Sequence, residues 1–229
     1  MSTLTVDIWS DLVCPWCYVG KRRFETALAG FSRRADVRVR WRSFELDPGG
    51  GTEPVLTLPE RSHRDLGGTR AETDRRMAML TELAAKEGLT YRLDRARAVN
   101  SFDAHRLMHY ADHEGRGEEV REHLMRAYTA DGAILTDRDT LVGIAADGGL
   151  DPSQTREMLE RGDFADAVRA DERRAMELGV SGVPTFVFAE RYAVSGAQPV
   201  EVFAQLLDRA WRELAPSAGD GVCAVEGSC

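Results

Sequence analysis

The sequence predicts an α/β protein in which a small four-stranded mixed sheet is interrupted by a large helical insertion. Near the N-terminus, two segments of alternating apolar and polar residues flank a segment with helical spacing. The middle of the chain, from about residue 70 to 180, has helical periodicity almost throughout. Two short alternating segments and one amphipathic helix follow. The predicted order is therefore β-α-β, a helical block, and then α-β-β-α.

The first unit comprises a strand at 3–9, a helix that starts near Trp16, and a strand within "DVRVRWRSFELD". A strand–helix–strand order predicts parallel strands joined by a right-handed crossover. The second strand has arginines at alternate positions, which suits a sheet edge that must not pair with another chain. The following "DPGGGTEP", 47–54, lacks the Lys-Ser/Thr of a phosphate-binding loop, and we interpret it as a connector.

The helical block is predicted to contain six helices and one short strand-like stretch at 89–93. The helices are "AETDRRMAMLTELAAKEG", "SFDAHRLMHYADHEG", "EEVREHLMRAYTADG", two shorter ones near 137–147 and 152–160, and "FADAVRADERRAMELG". Ser and Gly at the ends of several of these segments are typical helix caps.

The last part returns to strands. "VPTFVFAE" and "RYAVSG" predict an antiparallel hairpin, and "QPVEVFAQLLDRAWREL" predicts an amphipathic helix. We therefore expect one sheet-containing domain built from 1–60 and 164–215, with 61–163 inserted as a helical domain. The remaining 216–229 is a small-residue tail that contains two cysteines and is predicted to be mobile.

The stretch "VCPWC" places Cys14 at the predicted start of a helix, where Pro15 is well tolerated, and Cys17 one turn further on. The thiolate is the reactive form of cysteine, and unpaired N–H groups at a helix N-terminus favour that anion. A second sulfur one turn away can attack a mixed disulfide and release the product. The spacing therefore predicts that Cys14 exchanges with substrate and that the less exposed Cys17 resolves the intermediate.

Zinc is the main alternative for this pair, but structural zinc sites usually need four ligands. The other cysteines, Cys223 and Cys229, lie in the tail with five residues between them, which is a poor zinc spacing. A purely structural disulfide would close a very small loop and constrain the chain little. The tail cysteines are a candidate second redox pair, a soft-metal site or unused thiols, and the sequence leaves these alternatives open.

The whole arrangement resembles the DsbA-like family of proteins with a thioredoxin fold, which carry a helical insertion. Within that family, "DLVCPWCYVGK", "NSFDAHRL" and "GVSGVPTFVF" are similar to the FrnE-type branch of dithiol–disulfide oxidoreductases or isomerases. The resemblance covers about residues 3–214. It implies an enzyme that needs no bound cofactor or metal and is recycled by glutathione or another thiol.

The resemblance also implies roles for residues around the pair. Pro184 is expected to be cis and to lie beside the cysteines, and Val183 is expected to offer backbone groups to an extended substrate. Trp16 is expected on the exposed lip of the site. Because Pro-Trp between the cysteines lacks an imidazole, a strongly oxidising potential is not implied. The remaining expected substrate-binding residues are Pro15, Phe102 and His105.

Three histidines, His105, His109 and His113, are spaced by four on one predicted helix. Because an apolar stripe lies nearly opposite, we interpret them as part of a solvated helix face rather than a metal site. Alternatively, as the resemblance implies for the "NSFDAHRL" segment, Phe102 and His105 face the cleft towards the cysteine helix, with His109 as a further candidate. Asp11, three residues before Cys14, is expected to cap that helix, with proton relay as the alternative.

The net charge of −8 disfavours a nucleic-acid partner. If residue 1 is the natural start, no signal peptide is visible, and no apolar run is long enough for a membrane span. We therefore expect a cytoplasmic enzyme that acts on a protein or small molecule containing a disulfide or dithiol. The rival functions are a glutathione-dependent isomerase of small molecules and a redox-sensing or metal-buffering cysteine module. The sequence predicts no oligomeric state.

Overall fold

The computed structural model describes residues 3–214, which form six strands and nine α-helices. The strands are β1 (Leu4–Ser10), β2 (Val37–Ser43), β3 (Leu56–Thr57), β4 (Arg97–Ala98), β5 (Thr185–Phe188) and β6 (Tyr192–Ser195). The helices are α1 (Pro15–Gly30), α2 (Leu58–Leu66), α3 (Arg70–Lys86), α4 (Phe102–His113), α5 (Gly117–Arg126), α6 (Arg138–Asp147), α7 (Pro152–Arg161), α8 (Ala165–Glu177) and α9 (Val200–Leu214). A π-helical turn, Ala127–Asp131, continues α5.

The main sheet has the order β2-β1-β5-β6. β1 and β2 are parallel, whereas β5 is antiparallel to both β1 and β6. These pairings confirm the predicted β-α-β unit, the hairpin and the four-stranded mixed sheet of a thioredoxin fold.

The arginines of β2 lie on an edge strand, as predicted, but two of them are ion-paired rather than free in solvent. Arg40 and Arg42 contact the buried Asp7 on β1, at 2.6 and 2.9 Å. Arg42 also reaches Asp171 on α8 at 2.9 Å. The charged face of β2 is therefore a packing surface for α8.

Two large apolar cores lie on either side of the first turns of α1. One joins the sheet to α1 and α9 and includes Ile8, Phe24 and Phe203. The other fills the helical block and also includes Cys14 and Cys17. The cysteine end of α1 thus lies where the two cores meet. We propose on this basis that the division into 1–60 with 164–215 and an inserted 61–163 describes two packing units.

The predicted strand at 89–93 is wrong. Leu89, Tyr91 and Leu93 alternate because all three are buried in the helical core, but the segment pairs with no strand among the described residues. The short strand of this region is β4, which pairs with β3.

The apolar periodicity of the sequence does not predict helix α2, although a local signal for it exists. Thr57 and Glu60 form a capping box, with Pro59 in the first turn. The helix is short and buries no residue fully, so its apolar periodicity is weak.

Within residues 3–214, none of the helices has both the length and the apolar character needed to cross a bilayer.

Candidate active site

The two cysteines occupy the start of α1, as the sequence predicts. Cys14 is the N-cap residue, and its side chain makes no capping hydrogen bond. Cys17 follows one turn later, and its backbone N–H donates to the Cys14 carbonyl at 3.0 Å. Cys14 is 6% exposed and Cys17 is 0% exposed, so Cys14 is the sulfur that a substrate can approach.

The surroundings of the two thiols differ electrostatically. Burial raises the pKa of the Cys17 thiol well above its ordinary value, and the adjacent Cys14 raises it further. The Ser10 hydroxyl and the Asp11 backbone N–H lower the pKa of Cys17, but they do not cancel the effect of burial. Cys17 therefore keeps its proton at neutral pH. Cys14 is the sulfur closer to solvent.

Val183 and Pro184 lie directly beside the pair. The peptide bond between them is cis, which confirms the expectation for Pro184. The Val183 carbonyl oxygen lies 3.9 Å from Cys14 Sγ. A Cβ atom built on Gly20 of α1 would lie only 2.9 Å from Pro184 Cγ, so α1 packs closely against this segment because residue 20 is glycine.

A groove of about 410 Å³ opens in front of Cys14. One wall is formed by Pro15, Trp16 and Val183, and the opposite wall is formed by α2, α3 and the loop after β2. Trp16 is 37% exposed at its edge, as expected, and Leu66 of α2 is 70% exposed on the far side. The groove is mainly apolar.

The charged side chains that line the groove within the described chain are one arginine, Arg61, and three aspartates, Asp11, Asp47 and Asp65. Among the described residues that line the groove, Arg61 is the one with a positively charged side chain. It contacts Asp47 at 2.7 Å and also Asp65, both of which line the groove. An anionic ligand would therefore have to displace a carboxylate to reach this guanidinium group.

Asp11 does not cap α1, so that expectation is wrong. Its side chain is fully buried, and its two oxygens accept hydrogen bonds from the backbone N–H groups of Val13 at 3.2 Å and Leu46 at 2.7 Å. Asp11 thus holds the loop after β2 against the segment that leads into the cysteines.

The histidine face of α4 is not solvated, because other elements cover it. His105 is 3% exposed, and His109 lies 3.3 Å from Asp171 of α8. His113, by contrast, is exposed as expected. His105 lines a small cavity rather than the groove, and Phe102 packs under the Arg169 guanidinium group, 4.2 Å from the ring centre. The structure therefore places neither Phe102 nor His105 on the groove wall.

Further residues that support the cysteine turn were not predicted from the sequence. The Tyr91 hydroxyl donates to the Pro15 carbonyl oxygen at 2.6 Å. Lys21 on α1 is 1% exposed and ion-paired to Glu25, Glu118 and Glu122, two of which belong to α5. These contacts join residues up to about a hundred positions apart, and no local pattern announces them.

Among residues 3–214, no cluster of three or more His, Cys, Asp or Glu side chains could hold a metal ion. Cys14 and Cys17 are both free thiols in the structure. The candidate second redox pair, Cys223 and Cys229, lies outside the described residues.

Comparisons with known proteins agree with this geometry. A probable DsbA oxidoreductase from Streptomyces coelicolor is 43% identical, with a TM-score of 0.89 over 98% of this chain and 100% of that one. The cytosolic disulfide reductase DsbM from Pseudomonas aeruginosa, solved with glutathione, shares the fold at 23% identity, with a TM-score of 0.60 over 91% and 99% of the two chains. The uncharacterized protein YwbO of Bacillus subtilis is 28% identical over 204 residues, which are 88% of this chain and 94% of that protein.

A family model described as a DSBA-like thioredoxin domain matches residues 5–208. That match includes both cysteines, the Val183–Pro184 segment and the whole helical block. The chain belongs to the family of DsbA-like thioredoxin-domain proteins.

Proposed function

We propose that Cys14 and Cys17 carry the exchange chemistry of this chain, which by its family and its 43% identical relative is a thiol–disulfide oxidoreductase. The observation that carries the proposal is the asymmetry of the pair. Cys14 lies at a helix N-terminus and borders the groove, whereas Cys17 is fully buried one turn behind it. This is the arrangement needed for one attacking and one resolving sulfur.

In the reducing direction, the Cys14 thiolate attacks a substrate disulfide, and one substrate sulfur leaves as a thiolate. Cys17 then loses its proton and attacks Cys14 Sγ, so that the second substrate sulfur is released and the Cys14–Cys17 disulfide forms. The substrate gains two electrons and the enzyme loses two. The oxidising direction runs through the same mixed disulfide in reverse, and the redox potential of the pair decides which direction prevails.

The groove favours a peptide segment as substrate. Its apolar walls suit apolar side chains next to a cysteine, and Val183 presents backbone groups beside Cys14 where an extended strand could pair. Glutathione carries net negative charge, and Arg61 in the groove is already paired with two carboxylates. We therefore infer a protein or peptide disulfide as substrate, with glutathione or another thiol acting as the recycling reductant.

We further propose the FrnE-type branch, an isomerase capability and a cytoplasmic location. Three motifs support the branch: the segment around the cysteines, the "NSFDAHRL" helix start and the Val-Pro-Thr segment. An isomerase needs a mixed disulfide that lives long enough to rearrange, and the buried, protonated Cys17 favours such a lifetime. The glutathione-dependent isomerase of small molecules is not favoured, since both cysteines are present and the groove offers no unpaired cation among its described residues.

The first test is a redox titration. Purified protein is equilibrated in graded glutathione buffers, its free thiols are alkylated, and the labelled cysteines are mapped by mass spectrometry. We expect Cys14 and Cys17 to oxidise together, with a midpoint in the range of known oxidoreductases, roughly −120 to −270 mV. A pair that stays reduced throughout, or protein purified with zinc, would refute the proposal. The same map shows whether Cys223 and Cys229 form a second redox pair.

Variants test the roles and the substrate class. Cys14→Ser should abolish the reduction of insulin, and Cys17→Ser should trap a mixed disulfide through Cys14. Leu66→Asp should slow exchange with an apolar cysteine peptide much more than exchange with a small aromatic disulfide. As a matched control, Met176→Asp changes an equally exposed apolar residue, 70% exposed on α8, outside the groove lining. Equal effects of the two substitutions would argue against the groove as the peptide site.

A further inference from the structure

Two buried polar side chains line one small cavity next to the segment that leads into the cysteines. The cavity has a volume of about 20 Å³ and is lined by both Ser10 and His105. Neither Ser10 Oγ nor His105 Nε2 has a partner in good hydrogen-bond geometry among residues 3–214, although Ser10 is 5% and His105 3% exposed. Ser10 Oγ interacts with the Cys17 thiol, whose pKa it lowers. A space of this size holds one water molecule, and buried polar groups without partners are costly. The cavity is therefore suited to a water that bridges the two side chains.

Ser10 connects this cavity to the pair. Its hydroxyl lies close enough to Cys17 to lower the pKa of that thiol, which burial raises most strongly and Cys14 raises further. The Asp11 N–H lies 3.4 Å from Cys17 Sγ on the same side. The resolving thiol is thus protonated at rest, while it must be a thiolate to attack. Of the two polar groups beside it, Ser10 also lines the cavity.

A carboxylate lies beside the His105 ring. His105 Nε2 is 3.4 Å from Asp11 Oδ1, without the alignment of a hydrogen bond. The other charged or titratable groups that line the cavity are Arg42 of β2, His109 and Asp112 of α4, and Arg121 of α5. The cavity opens to solvent, since Asp112, Arg42 and His109 in its lining have side chains that are 46%, 29% and 21% exposed.

We propose that His105 accepts the proton of Cys17 through the Ser10 hydroxyl and a bridging water, and that Asp11 supports it. This inference rests on the proposed function. In the resolving step, the proton leaves Cys17 Sγ, and an equivalent proton reaches His105 Nε2. The Cys17 thiolate then attacks Cys14 Sγ, the substrate thiolate leaves, and the Cys14–Cys17 disulfide forms. His105 returns its proton to solvent by way of His109. His105 is thus a positioning and proton-relay residue and does not touch the substrate.

Stopped-flow reaction of the reduced protein with dithionitrobenzoate separates the two sulfurs. Attack by Cys14 releases one thionitrobenzoate anion and forms a mixed disulfide, and attack by Cys17 releases the second. All variants carry Cys223→Ser and Cys229→Ser, so that the thiols that react are Cys14 and Cys17. For His105→Gln we expect an unchanged first phase and a second phase slowed about 100-fold near neutral pH, the lower end of general-base effects. The deficit should shrink as pH rises and hydroxide removes the proton directly.

The controls separate the possible outcomes. Ser10→Ala should slow the second phase in the same direction, whereas His113→Gln, on the exposed end of the same helix, should leave both phases unchanged. His105→Asn serves if the glutamine variant does not fold. If Cys17→Ser abolishes the second phase but the His105 and Ser10 variants keep the wild-type pH profile, the relay is wrong and the proposed function stands. If Cys17→Ser retains the second phase, the proposed function itself fails.

Discussion

Replacing Gly20 with alanine adds one methyl group at the closest approach between α1 and the segment beside the cysteines. The new Cβ would lie 2.9 Å from Pro184 Cγ, 3.5 Å from Pro184 Cβ and 3.4 Å from Phe186 Cζ. Carbon atoms prefer separations of about 3.5–4.0 Å, so α1 and the start of β5 must move apart by roughly 0.6–1 Å at this point. That movement displaces Val183, whose carbonyl oxygen faces Cys14.

The expected effect on stability is modest because two contributions oppose each other. Overpacking a closely packed site costs about 1–3 kcal/mol. Alanine in place of glycine within a helix returns about 1 kcal/mol. The free energy of unfolding should therefore fall by about 0–2 kcal/mol, which leaves a folded protein.

The expected effect on exchange is larger. A shift of about 1 Å in a substrate-positioning element can cost on the order of 100-fold in rate. We therefore expect the Gly20→Ala variant to reduce insulin or peptide disulfides at a rate at least about tenfold below that of the wild type. Urea unfolding followed by circular dichroism measures the stability, and a turbidity or fluorescence assay of disulfide reduction measures the rate.

Gly143→Ala is the matched control. Gly143 also lies within a helix, α6, but a Cβ there meets nothing within 4 Å. This variant should be more stable than the wild type by up to about 1 kcal/mol and should exchange at the wild-type rate. If Gly20→Ala behaves like Gly143→Ala in both assays, the close packing of α1 on Pro184 does not position the site, and the reasoning is refuted.

Three other predictions concern the support of the pair. Because burial raises the pKa of Cys17 in the folded protein above its unfolded value, the unfolded chain loses this proton first as the pH rises. The free energy of unfolding of the reduced protein should therefore fall by about 1.4 kcal/mol per pH unit above about pH 8.5. Cys17→Ser should remove that slope in urea titrations. Tyr91→Phe leaves the Pro15 carbonyl without its partner and should lower the free energy of unfolding by about 1–2 kcal/mol and slow exchange. Tyr110→Phe removes a hydroxyl whose contact is 3.4 Å long and remote from the site, and it should change neither property. Equal losses in the two variants would contradict the role of Tyr91. Lys21→Met should destabilise the protein by about 2 kcal/mol in thermal or urea unfolding. This is less than the cost of breaking a fully buried ion pair, because the glutamates are partly solvated. A neutral result would show that these ion pairs do not tether α1 to α5.

Local chemistry explains why much of the fold could be predicted. The alternating pattern of β1, the proline after Cys14 and the helical spacing that follows are properties of neighbouring residues, and they predict where α1 begins. The hairpin and the amphipathic α9 follow from similarly short patterns. The confirmed cis bond before Pro184 came from the resemblance to a family, since proline alone does not require it.

The errors arose where burial depends on distant segments. The sequence pattern predicts a solvated face for His105, because the apolar stripe of its helix lies nearly opposite. In the structure, seven of the twelve residues of α4 are buried, including both His105 and Arg106, because neighbouring helices cover the polar side as well. The alternation at 89–93 likewise reflected burial in the helical core rather than strand pairing.

The amino-acid sequence alone determined that two thiols lie at the start of a helix and that they differ in exposure, because both properties depend on residues within one helical turn. The tertiary structure decided what surrounds them. Val183 faces Cys14 across 169 positions of the chain, and the groove opposite is formed by α2 and α3 of the insertion. His105 reaches Asp11, in the segment that leads into the cysteines, from a third part of the chain. Such contacts depend on how helices and strands pack, and packing is a property of the whole folded chain rather than of any local stretch.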